Sequence, residues 1–312
     1  MMKVILLFCS ILVFSLPGVN RDVSAQPVHL DELVDDYIVK RHKTVDGAGL
    51  DLYKFEPTGH EQSDKRTALV FIHGGGFVSG HPRYFFPHCR YFASRGAVAF
   101  SISYRLITKK GVEGIDGIRT CITDCKSAVR HIRKNAALYG IDPDKIVVIG
   151  DSAGGHLAAA LGMIDDFDAG DEDRTISSMA DAMVLYNPAV DLEIEAFNRV
   201  FNIPKFGERE MALIKKYSPL SYVRSGLPPL LVMHGSEDTN IPIEQVYRFD
   251  SAMKKAGSRC EFIAMEGVKH AFIIVGIGTE ETIVRALFET DRFLTSQGFF
   301  AGTPTIEMDN GR

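Results

Sequence analysis

Apolar residues in this chain fall into short runs bounded by glycine, proline and polar clusters, and between those runs they recur at helical spacing. Residues 67–72, 97–104, 145–149, 182–186, 229–234 and 260–265 read as strands. Most are apolar at nearly every position, as strands buried on both faces are. Residues 83–94, 118–138, 243–256 and 280–296 carry helical spacing, with Cys121, Ala128, Ile132 and Ala136 as the inner stripe of the second. Residues 32–56 alternate loosely around Asp46-Gly47, a hairpin signal. Asp142-Pro143 closes the 118–138 helix and starts the turn into the strand at 145–149. Strands alternating with helices predict an α/β architecture, a mostly parallel central sheet with helices on both faces. In 191–226 the alternation breaks into helical pieces and scattered charge, which reads as a small cap. The tail, 301–312, reads as disordered from about Gly302.

The first 25 residues stand apart. Lys3 precedes an apolar run over 4–16, and Val23-Ser24-Ala25 makes a small-residue cleavage pattern before Gln26. This is the layout of a secretory signal peptide, and the run is short for a membrane span of about 20 residues. The expectation is a secreted or periplasmic protein with one domain over 26–300 and no stable membrane association after cleavage. The formal charge of the whole chain is −5. Removing residues 1–25 takes away Lys3, Arg21 and Asp22 and leaves −6. Neither value suits a nucleic-acid surface, and the lack of tryptophan offers no stacking groove for a long polysaccharide. Four cysteines remain: Cys89, Cys121, Cys125 and Cys260. An oxidising compartment permits disulfides, four cysteines allow three complete pairings, and buried thiols are the plainer reading for some of them. No second cysteine or histidine pair has ligand spacing for zinc.

Candidate chemistry sits just past the predicted strand ends, where ligands gather in sheets of this kind. Gly150-Asp151-Ser152-Ala153-Gly154 joins a strand to the helix-forming run 155–161. Such a turn holds serine in a strained backbone and presents its hydroxyl above the sheet. His73-Gly74-Gly75-Gly76-Phe77 follows the strand at 67–72. Consecutive glycines let amides point into a cavity, as an oxyanion requires. The loop lacks the Gly-Lys-Ser/Thr ending of a phosphate loop. A serine nucleophile needs a base and a carboxylate behind it. His270 follows the strand at 260–265 and Asp238 the strand at 229–234, with Glu237 and Asp191 as rival acids. Asp151 reads as support for the glycine loop or the serine turn, His73 as an organiser of the loop, and His81 and His88 as candidates for the pocket wall. Near-neutral activity should rise with pH around 6–7 if the base titrates near the histidine reference of about 6.5.

With these residues in place, the chain resembles the α/β-hydrolase superfamily, and within it the hormone-sensitive-lipase-like carboxylesterases. The resemblance rests on His73 to Phe77 with Gly80, Gly150 to Gly155, Asp238 with Ile241-Pro242, and His270, and spans about residues 45–298. It implies an α/β-hydrolase fold over 26–300 and hydrolysis of carboxylic esters by Ser152, His270 and Asp238. It also implies an oxyanion hole from the amides of Gly75, Gly76 and Ala153, and neither metal nor organic cofactor. Tyr104-Arg105-Leu106 runs into Ile107-Thr108-Lys109-Lys110 where lipase-like members have Ala-Pro-Glu. That departure is more similar to secreted bacterial esterases of acetylated or feruloylated carbohydrate, acetyl xylan esterases among them. It turns the expectation toward small-molecule or carbohydrate esters with acetyl-type acyl groups. Two alternatives stay open: a peptidase of the same fold, resembling prolyl oligopeptidases, and a non-catalytic ligand-binding protein on the hydrolase scaffold.

Overall fold

The computed structural model describes residues 37–306, apart from Pro204. The signal-peptide reading of 1–25, the start of the hairpin reading at 32–36 and the end of the tail at 307–312 lie outside the described residues.

Two strands, β1 (Ile38–Val45) and β2 (Ala48–Phe55), form the hairpin. Asp46 and Gly47 both take positive φ at its tip, the two-residue turn whose twist matches the strands. Strand β3 (Arg66–Ile72) leads through the glycine loop and a 3-10 turn at Pro82–Phe85 into helix α1 (Phe86–Ser94) and strand β4 (Val98–Ile102). Helix α2 (Gly111–Lys134), strand β5 (Ile141–Asp151), helix α3 (Ala153–Met163) and strand β6 (Ala182–Tyr186) follow. Two short helices, α4 (Glu195–Phe201) and α5 (Glu208–Tyr217), precede β7 (Leu230–Gly235), α6 (Glu244–Lys255), β8 (Cys260–Met265) and α7 (Glu280–Ser296).

The strands make one eight-stranded sheet in the order β1-β2-β4-β3-β5-β6-β7-β8. β1 and β2 join it antiparallel, and all pairings from β4 to β8 are parallel. Successive residues of one strand feed opposite cores, because side chains alternate across a sheet. Ala68, Val70 and Ile72 of β3 pack with α2, α3 and α6 through Ile118, Leu157 and Phe249. Leu69 and Phe71 pack on the other face with α1 and α7 through Phe92 and Leu287. This is an α/β-hydrolase fold.

The boundaries of α2 and β5 differ most from the sequence reading. α2 begins at Gly111 and ends at Lys134, so Ala136, still buried, lies past its end. Asp142-Pro143 is part of β5: Ile141 pairs with Arg66 across a register shift, and the irregular start tolerates the proline. The inner stripe of Cys121, Ala128 and Ile132 is fully buried. Cys121, Cys125 and Cys260 are unbridged thiols, and Cys89 is buried in α1. Past α7, Ile306 packs on the α1/α7 core. No helix among the described residues is long and apolar enough to cross a membrane.

Candidate active site

Ser152 occupies the one-residue link between β5 and α3, with φ 56° and ψ −119°. That backbone is strained for any residue with a side chain. The link closes because its flanks are glycine. A Cβ on Gly154 would lie 2.0 Å from the carbonyl oxygen of Ile72, and one on Gly150 would lie 2.1 Å from that of Gly154. Strand and helix therefore meet backbone to backbone, and the serine is pushed out at the carboxyl end of the sheet.

Two neighbouring strands supply its partners. Asp238 follows β7 and His270 follows β8, and their loops are tied by amide hydrogen bonds from Ser236 to Met265 (2.9 Å) and from Glu237 to Val268 (3.0 Å). His270 Nδ1 lies 2.6 Å from Asp238 Oδ2, and His270 Nε2 lies 3.0 Å from Ser152 Oγ. With Nδ1–H donated to the carboxylate, Nε2 presents its lone pair to the serine hydroxyl. The second oxygen of Asp238, Oδ1, accepts the amides of Asn240 and Ile241, both at 2.9 Å. Glu237 is exposed and Asp191 pairs with Arg248 at 3.0 Å, so neither rival acid reaches His270.

The electrostatics follow from these contacts. Burial opposes the charge on Asp238, but hydrogen bonds from His234, His270 and the Ile241 amide outweigh it and hold the carboxyl well below the usual range. Burial also opposes the charge on His270, yet the hydrogen bond to Asp238 and the nearby Asp151 carboxylate leave its pKa raised above 6.5. His234 was missed as a participant. Its Nε2 sits 3.3 Å from Asp238 Oδ2 and 2.8 Å from the Ile241 carbonyl, so it closes the turn that carries the acid. Its spacing of four residues from Asp238 was the available signal.

The glycine loop arches over the same point. Gly75, Gly76 and Phe77 take successive positive φ values of 114°, 61° and 67°. A Cβ on Gly75 would lie 2.2 Å from the Ser79 carbonyl oxygen. The loop is fixed from behind by His73, whose Nδ1 lies 2.8 Å from the Gly74 carbonyl and whose ring stacks on Tyr104 at 4.4 Å. Ala153 is the first residue of α3, where amides have no partner inside the helix. Gly74, Gly75, Gly76 and Ala153 line one cavity with Ser152 and His270. Asp151 lines it too and is buried beside Ser152. His81 and His88 do not. His81 accepts the Arg83 amide at 3.1 Å to open the 3-10 turn, and His88 binds the Ile273 carbonyl at 2.8 Å from behind. Tyr84 lies between them in sequence and does reach the cavity.

The cavity holds about 580 Å³. Its far walls are Ile194, Phe197 and Val200 from α4 and its lead-in, and residues 274–277 from the loop after His270. Of the aromatic residues near the motifs, Phe77 lines it, whereas Phe85, Phe86 and Phe272 are buried in the α1/α7 core. No cluster of metal-ligating side chains occurs among the described residues.

The BD-FAE family model matches residues 50–253. The chain belongs to the BD-FAE family. Among curated relatives, this BD-FAE member is 30% identical over 176 residues to esterase LipQ of Mycobacterium tuberculosis, covering 53% of this chain and 42% of LipQ. It is 24% identical over 219 residues to an acetylxylan esterase of Xylanibacter ruminicola, covering 68% of this chain and 42% of that enzyme. The chain spans about half or less of the length of these curated relatives. Over its full fold it is similar to esterase 2 of Thermogutta terrifontis, with 40% identity, a TM-score of 0.76, and 86% of this chain and 97% of that one covered. That esterase has been solved phosphonylated by sarin and bound to propionate or butyrate.

Proposed function

We propose that the protein is a serine carboxylesterase for short-acyl esters. The observation that carries this reading is the continuous chain from Ser152 Oγ through His270 to Asp238, at 3.0 and 2.6 Å, under an arch of glycine amides. In the reaction Ser152 Oγ attacks the ester carbonyl while His270 Nε2 takes its proton. The amides of Gly75, Gly76 and Ala153 hold the negative charge that develops on the carbonyl oxygen. His270 then gives the proton to the departing alcohol, and Asp238 stabilises the imidazolium in between. Water, with His270 again as base, releases the acid from Ser152. The short acyl group is supported by propionate and butyrate in the related esterase.

Replacing Ser152 with alanine should lower kcat/KM for p-nitrophenyl butyrate by at least about 10³-fold. Wild type should be labelled at Ser152 by a fluorophosphonate. A labelled peptide elsewhere, or a variant with most of its activity, would overturn the mechanism. The intact Ser-His-Asp chain disfavours a non-catalytic binding role. A second reading places the acyl group on a carbohydrate, and the acetylxylan esterase among the relatives favours it. Residues 1–25 support export, with the enzyme acting outside the cytoplasm. A secreted or periplasmic form beginning at Gln26 by N-terminal sequencing is the expected result, and an uncleaved chain counts against it.

A further inference from the structure

Large hydrophobic side chains left in water cluster at the entrance to this cavity. Ile277 is 66% exposed, the most of any large hydrophobic residue among those described. Val275 and Tyr84 are 38% and 45% exposed, and all three line the cavity that holds Ser152. Exposed apolar surface continuous with a ligand site marks a contact that a ligand completes.

The loop that carries two of them is built to hold this shape. Ile273 and Ile274 are buried beneath it, and the amides of Ile277 and Gly278 return to the Ile274 carbonyl at 3.0 and 2.9 Å. Gly276 has φ 86°, and a Cβ on Gly278 would lie 1.8 Å from the Phe272 carbonyl oxygen. The turn is closed on its own backbone, so Val275 and Ile277 cannot retreat into the core. They stand ready for a ligand before it arrives, which lowers the ordering penalty of binding.

We propose that Tyr84, Val275 and Ile277 form the alcohol subsite, and that it takes an apolar alcohol, aryl or branched alkyl, in preference to a sugar ring. This rests on the esterase reading above. A short acyl group occupies the space next to Ser152, so the outer rim meets the other half of the ester. A sugar would bring several hydroxyls against two aliphatic side chains and an aromatic ring, with only the Tyr84 hydroxyl among the three to bond them. Losing water from hydroxyls without replacing its hydrogen bonds is unfavourable, whereas an aryl or alkyl alcohol removes four apolar surfaces from water at once.

The test compares benzyl acetate, 2-methoxyethyl acetate and acetylated methyl xyloside on wild type and on Ile277→Ser, a change at an exposed position. Wild type should prefer benzyl acetate. Ile277→Ser should lower its kcat/KM about tenfold, chiefly through KM, and lower that of 2-methoxyethyl acetate by a clearly smaller factor. Preference for the xyloside, or an equal loss on both simple acetates, overturns the proposal. A parallel binding titration uses Ser152→Ala protein with and without Ile277→Ser, so the rim is read without turnover. Tighter binding of benzyl acetate that Ile277→Ser abolishes supports the subsite even if the esters are not hydrolysed, which would instead count against the esterase reading. Equal binding of benzyl and methoxyethyl acetates overturns the subsite.

Discussion

Asp151 carries a charge that the hydrogen-bonded chain does not use. It is fully buried, lines the cavity beside Ser152 and is surrounded by His234, Asp238 and His270, with Tyr104 and Tyr186 also within electrostatic reach. Burial pushes its carboxyl up to about 6, while the charge of His270 and a hydrogen bond from Asn187 pull the other way. Above that pH the Asp151 anion favours the protonated imidazole, which is one reason His270 titrates above 6.5. The neutral imidazole is the working base, so activity should reach half its maximum above pH 6.5 and not at the histidine reference value. Asp151→Asn removes the anion, favours neutral imidazole and should move this acid limb to lower pH. The measurement is kcat/KM from pH 5 to pH 9 for both proteins. A limb that stays in place, or moves up, would exclude electrostatic coupling between the two groups.

At the scale of elements, the least regular part of the chain supplies one wall of the site. α4 is seven residues long and belongs to the segment where the sequence pattern fails, yet it is fastened at several points. Phe201 packs so closely on α2 that a Cβ on Gly114 would lie 2.5 Å from its ring. Lys110 Nζ donates to the Val200 carbonyl at 2.7 Å, and Phe197 meets Phe77 of the glycine loop edge to face at 6.5 Å. Phe201 is fully buried, and its replacement by alanine should destabilise the protein by about 3–5 kcal/mol in denaturant unfolding. A shift below about 1 kcal/mol would mean that α4 is not anchored there. This contrast also explains what could be read in advance. Ser152, Asp238 and His270 were legible because each follows a strand whose apolar run is local in sequence. Strand ends in a parallel sheet then converge without further information. Tyr84, Val200 and Ile277 were not legible. Each is an ordinary hydrophobic residue in a loop or short helix, and only its distance from Ser152 in the folded chain gives it a role. His60 likewise gains its role from the fold, joining Asp64 to the distant Tyr139 carbonyl, both at 3.1 Å.

For the whole molecule, the sheet is open among the described residues, and β1 is one of its two margins. The β1 sequence is Ile-Val-Lys-Arg-His-Lys-Thr-Val, with Ile38, Val39, Lys40 and Arg41 all exposed. An unpaired strand offers its amides and carbonyls to any other strand, including the same strand of a second molecule. Arg41 is paired with Asp51 of β2 at 2.9 Å, so a second β1 laid alongside meets chiefly the charge of Lys40, and like charges across a strand pair repel. The margin thus carries its own guard against self-association. Replacing Lys40 and Arg41 with valine and threonine should leave the fold intact and produce concentration-dependent oligomers in light scattering; an unchanged particle size would place the guard elsewhere. Beside the exposed Ile38 and Val39, such a cation on a border strand is a standing defence against fibrils.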